Sequence, residues 1–182
     1  MRPKTTPNYL AAYPTSLTAP VQQLLAQNRL GEILRQKYPQ AHAVRTDKAL
    51  YDYVQEIKND CLRNAGQLSK IAFDSKLHII RNALGTHTTI ARVQGSKLKS
   101  KREIRIATLF REAPPEFLRM IVVHELAHMK ESAHDKAFYQ LCQHMEADYH
   151  QLEFDLRVYL THLEATGQPL WAPVAVDATP SP

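Results

Sequence analysis

Apolar positions along this chain change their period twice, from helical to alternating and back to helical. Between Leu17 and Tyr38 they fall at Val21, Leu24, Leu25, Ile33 and Leu34, a helical spacing interrupted near Gly31 and closed by Pro39. A more regular helix follows, with Thr46 or Asp47 as N-cap, an apolar face of Leu50, Tyr53, Val54, Ile57 and Cys61, and an end at Gly66. The middle third carries short runs rich in branched residues: Ile71–Phe73, Leu77–Ile80, Thr88–Val93 and Glu103–Ala107. Turn chemistry at Asp74-Ser75, Gly85 and Gly95-Ser96 separates them, and the last two are expected to pair as a hairpin. Ile104 and Ile106 alternate with Arg105, so that strand has one buried and one wet face.

Pro114-Pro115 then opens a helix whose apolar stripe is Phe117, Leu118, Ile121, Val122 and Leu126. Helical period continues from Asp135 to Leu163, with a break near Tyr149-His150. The predicted class is α+β: N-terminal helices, a small antiparallel β-sheet with a hairpin, then further helices. Residues 1–16, with Pro3, Pro7 and Pro14, read as a flexible arm; 17–166 form one domain; 167–182 read as a flexible Pro- and Ala-rich tail.

Composition narrows the setting. With 182 residues and 44% apolar content the chain suits one globular domain, and it lacks the long apolar run of a membrane span or the apolar core of a secretory signal. Cys61 and Cys142 stand far apart without a CxxC pairing, which points to a reducing, cytoplasmic setting rather than a disulfide framework. The net charge of +5 is modest, but Arg92, Lys97, Lys99, Lys101, Arg102 and Arg105 gather on the hairpin region against Glu103 alone. The plain reading is a solvated hairpin tip; the sharper one is a set of phosphate or substrate contacts.

The chemistry lies in the helix after the prolines, at His124-Glu125-Leu126-Ala127-His128. Histidines four apart differ by about 40° around a helix axis, so both imidazoles leave one face and can bind one ion. Glu125 stands on the flank, where it can reach an ion-activated water without being a ligand. A third ligand is needed, and His134 follows at +10, with Ser132 and Asp135 suited to cap the next helix. Three neutral imidazoles leave a tetrahedral zinc one open position, the mark of a catalytic site. His124, His128 and His134 are thus the metal ligands and Glu125 the catalytic carboxylate. The spacing matches zincins with HExxHxxGxxH, but Glu131 stands where their glycine would be and no Met-turn is recognisable, so a different turn must bring His134 round.

The segment MIVVHELAHMKESAHDKAFYQLCQHM resembles the YgjP-like metallopeptidase domain, a family related to SprT-like and minimal gluzincin-type proteases. The resemblance extends back through ALGTHTTIARVQGSKLKSKREIRIATLFREAP to TDKALYDYV and forward through EADYHQLEFDLRVYLTHLE, covering most of residues 10–165. It implies a zincin-like hydrolase with a small sheet beside the HExxH helix. The Trp-Gly-Ser-Cys signature of broader relatives is replaced here by Leu84-Gly85-Thr86-His87.

Three functions compete. The first is a zinc peptidase acting on a peptide or protein laid along the Glu103–Ala107 strand as a sheet edge. The second is a nucleotide or phosphoanhydride hydrolase whose basic hairpin holds phosphates. The third is a gated, DNA-associated binding module with zinc, although no helix-turn-helix or zinc-finger spacing is present. Tyr139, His144, Tyr149 and His150 are candidate donors to a developing oxyanion, and Glu153 and Asp155 are candidates to orient a ligand imidazole.

Overall fold

The computed structural model describes residues 7–77 and 102–171. The α+β class expected from the sequence is the one observed. Helices α1 (Thr15–Ala26), α2 (Leu30–Lys37) and α3 (Asp47–Cys61) precede strand β1 (Leu68–Asp74). Strand β2 (Arg102–Ala107), a 3₁₀ turn (Thr108–Glu112), α4 (Pro115–Ala127), α5 (Lys136–Met145) and α6 (Tyr149–Thr166) follow. No helix among the described residues is long and apolar enough to cross a membrane.

Helix α4 is the spine. The sequence suggested an apolar stripe, but Met120, Val123 and Ala127 are buried together with Phe117, Leu118, Val122 and Leu126, so the helix is enclosed on all sides. Helices α3, α5 and α6 and strand β2 surround it. Pro115 occupies its first turn, where a missing N–H costs no hydrogen bond.

Helix α3 starts as expected: the Thr46 hydroxyl accepts the Ala49 N–H at 3.1 Å. Asp47 adds a tertiary bond by accepting the Phe73 N–H of β1 at 3.0 Å. The helix ends at Cys61, ahead of the expected Gly66. The earlier break falls at Asn28, whose positive φ of 55° turns the chain, and not at Gly31. Gly31 lies inside α2 because a Cβ there would meet His162 and Leu170 at 2.9 Å; the glycine permits close packing. The later break also comes sooner than Tyr149, since α5 closes at Met145 and Tyr149 opens α6.

The sheet differs in direction from the expected antiparallel arrangement. β1 and β2 pair in parallel, with Ile71 opposite Ile104 and Phe73 opposite Ile106. Alternation within a single strand reports its buried face and is silent about the neighbour's direction, which depends on the route of the intervening chain. Ile104 and Ile106 are buried as their alternation required. The hairpin expected between Thr88–Val93 and Glu103–Ala107 lies largely outside the described residues, as do the Leu84–His87 segment and most of the Leu77–Ile80 run.

Both ends of the described chain reach the core. Tyr9 and Leu10, in the stretch read as an arm, are buried, and Arg157 donates to the Tyr9 carbonyl at 3.2 Å. Beyond Gly167, which takes the left-handed conformation that ends α6, Trp171 returns to the domain. Its indole N–H donates to the Tyr38 carbonyl at 2.8 Å, and its ring meets Phe117 and Tyr159 edge-on at 5.7 and 4.8 Å. Trp171→Ala is therefore expected to cost about 3–5 kcal/mol through the cavity it leaves. Urea unfolding followed by far-UV circular dichroism checks this, since Trp171 is the only tryptophan. An unchanged midpoint would show that the segment after Gly167 contributes nothing to the domain.

Candidate metal centre

His124 and His128 leave the last turn of α4 on one face, and His134 meets them from the loop before α5. Their Nε2 atoms lie 3.3 Å (124 to 128), 3.0 Å (128 to 134) and 3.2 Å (124 to 134) apart. Imidazole nitrogens bound to a tetrahedral ion at about 2.0–2.1 Å stand about 3.3–3.4 Å from one another, so this spacing fits three ligands of one ion. The three side chains form a group able to hold a metal.

The second ring nitrogens support that use. His128 Nδ1 faces the Glu131 carbonyl at 3.0 Å, an acceptor only, so Nδ1 carries the proton and Nε2 presents a lone pair. His124 Nδ1 lies 2.7 Å from the Tyr149 hydroxyl. Tyr149 is wholly buried, and burial raises its phenol well above the ordinary value. It therefore stays protonated, and with His124 Nε2 turned to the triad the Nδ1–H donates to its oxygen. Burial first, then the neighbouring His128 and His134, hold His124 down at about 3, so it is neutral at ordinary pH.

Phe138 forms the floor. Its ring centre lies 5.0, 4.6 and 4.7 Å from those of His124, His128 and His134, and it is fully buried. Asp135 fixes it by accepting the Phe138 N–H at 3.1 Å and capping α5. The turn between His128 and His134 needs no glycine. The N–H groups of Lys130 and Glu131 bond back to the Ala127 carbonyl at 3.0 and 2.9 Å, and Glu131 has no positive φ. Arg102 donates to the Met129 carbonyl at 3.0 Å, tying the start of β2 to this turn.

Glu125 stands one residue on from His124, and burial pushes its carboxyl up to about 7. That value suits proton transfer near neutrality, and a cation in the triad would draw it lower.

The other candidates separate. Arg102 lies beside the triad's turn, whereas Arg105 is engaged by Asp74 at 2.9 Å and Glu103 at 3.3 Å. Arg92, Lys97, Lys99 and Lys101 lie outside the described residues. Tyr149 is near the triad, with its hydroxyl against Nδ1 of His124, the nitrogen turned away from the other two imidazoles. Asp155 faces α2, accepting from Tyr38 and Lys37 at 2.6 Å each, and does not orient a ligand. Glu153 pairs with Arg157 at 3.2 Å. Tyr139 lies beside His134 and His150 beside Tyr139, while exposed His144 is not among the ring contacts joining the triad. Sequence reasoning missed Phe138 and the Glu131 carbonyl; the Asp135 cap was the one signal for Phe138, and a backbone carbonyl has none.

Two tests follow from this geometry. Tyr149→Phe removes the oriented partner of His124 and is expected to weaken metal binding by about 10–100-fold while leaving the fold intact, as read by chelator competition. Unchanged affinity would reduce Tyr149 to packing. The second concerns Glu125, whose folded pKa exceeds the ordinary 4.5, so ionising it costs stability. In metal-free protein that loss develops as pH rises from about 4.5 through about 7. Glu125→Gln is expected to match the wild type at the acid end and to unfold at higher urea by about pH 8. Equal midpoints at both ends would mean that the carboxylate is solvated.

Comparison with known proteins places this site in a family. The sequence model described as "YgjP-like, metallopeptidase domain" matches residues 67–159. The UTP pyrophosphatase of Escherichia coli (strain K12) is 58% identical over 155 residues, covering 85% of this chain and 93% of that protein. No solved structure matches significantly. The family and the histidine triad together support a metal-dependent hydrolase. A match across the sheet, the HExxH helix and most of α6, joined to that identity over nearly the full length of a relative, makes this chain a member of the YgjP-like metallopeptidase-domain family.

Proposed function

We propose that the protein is a zinc-dependent hydrolase that cleaves the phosphoanhydride between the α- and β-phosphates of a nucleoside triphosphate, releasing a nucleoside monophosphate and pyrophosphate. The observation that carries the hydrolytic part is the convergence of His124, His128 and His134 with Glu125 beside them. The relative named for UTP pyrophosphatase activity, 58% identical across 93% of its length, favours a nucleotide over the peptide expected first.

Three neutral imidazoles and an open position suit zinc, which when bound supplies Lewis acidity and lowers the pKa of a water from about 16 toward about 7. Glu125 takes a proton from the attacking water. The water oxygen forms the new bond to the α-phosphorus, the bond to the bridging oxygen breaks, and the proton passes to the departing pyrophosphate. Arg102 brings a permanent positive charge to the turn between His128 and His134, where a phosphate chain can use it.

Peptide hydrolysis is the second reading, favoured by the family's description as a metallopeptidase domain. Among the described residues β2 pairs only with β1, which keeps the expected sheet-edge mode for an extended peptide in play.

Glu125→Gln is expected to bind zinc at the wild-type ratio and to lose about 10²–10⁴-fold in turnover. Zinc by mass spectrometry and release of uridine monophosphate and pyrophosphate from UTP provide the readouts, with an unfolded-protein substrate in parallel. Cleavage of the protein substrate alone would replace the first reading by the second. Full turnover in the variant would remove Glu125 from either.

A further inference from the structure

Tyr139 and His150 form a pair of rings at the side of the triad. Tyr139 lies in the first turn of α5, half-buried, with its ring 6.5 Å from that of His134 and tilted by 34°. His150 lies in the first turn of α6, exposed, with its ring 5.3 Å from Tyr139 and tilted by 36°. Tyr139 is fixed from the core side by Phe138, edge-on at 5.3 Å, and by Tyr149 at 6.3 Å. A ring so packed loses little further freedom on binding, and its remaining exposed surface suits a flat partner.

We propose that Tyr139 and His150 form the nucleobase platform of the substrate site. The inference rests on the nucleoside triphosphate reading above and adds the part of the substrate that reading left unplaced. With the reacting phosphorus at the triad, the base lies one ribose away, and Tyr139 is the half-buried ring that joins His134 to the exposed His150. Stacking accepts any base because every base has a π-face, so this platform separates nucleotides from inorganic polyphosphates more than one base from another. The ring of Tyr139, and not the hydroxyl proposed for an oxyanion, is the working group.

Zinc-loaded Glu125→Gln is expected to turn substrate over about 10²–10⁴-fold more slowly, so binding of UTP and of inorganic triphosphate to it can be titrated directly. Adding Tyr139→Ala is expected to weaken UTP about tenfold while leaving inorganic triphosphate and Tyr139→Phe within about twofold of the parent. His150→Ala is expected to act in the same direction, and it takes the place of Tyr139→Ala if that variant loses zinc or fold. Weakening of both ligands alike, no change for UTP, or a Phe variant as poor as Ala each overturns the platform. Wild-type turnover judges the reaction separately. Ring-dependent UTP binding without turnover keeps the platform and removes the proposed chemistry; turnover with ring-independent binding does the reverse. Failure of Glu125→Gln to bind UTP at all overturns both.

Discussion

Three imidazole nitrogens are held within 3.3 Å of one another, and presenting all three lone pairs to one point is repulsive without an ion. Their convergence must be imposed by the surrounding fold or offset by an ion. The surrounding fold does much of it here. Burial of α4 sets the directions of His124 and His128, the Asp135 cap sets the start of α5, and Phe138 closes the space beneath all three rings. The energy holding the site comes from the core packing that stabilises the domain.

That dependence explains why α4 is enclosed from Phe117 onward. A helix with one wet face could rotate or slide slightly at small cost, whereas one packed by α3, α5, α6 and β2 cannot. The same helix holds Glu125 partly out of water with no opposing charge acting on it, and this desolvation raises its carboxyl toward neutrality. Low dielectric thus serves two ends: it keeps His124 unprotonated and ready to ligate, and it keeps Glu125 able to exchange a proton.

The substrate question turns on groups around that centre. A metal-dependent hydrolase site of this kind suits a carbonyl or a phosphoryl oxygen equally well. Choice of substrate therefore lies with the neighbours: Arg102 on the turn, and the Tyr139 and His150 rings on the opposite helices. A cation, a half-buried tyrosine ring and an exposed histidine ring suit the proposed phosphate chain ending in a base, in keeping with the name of the relative rather than the peptidase label of the family.

Local rules decided much of this in advance. The i, i+4 spacing of His124 and His128 needs only helical geometry, Thr46 and Asp135 need only a short polar side chain before an apolar helix, and Ile104 and Ile106 need only the period of a strand. These are short-range effects, so a sequence displays them. The direction of the β1–β2 pairing, the place of Gly31 inside a helix, the return of Trp171 to Phe117 and the approach of Tyr149 to His124 join residues far apart in the chain. Which groups could bind a metal, and which element would carry two of them, was legible from local spacing alone. That Tyr149 meets His124 while Asp155 turns to Tyr38 and Lys37 depends on which helix faces which, and packing the whole core at once settles it.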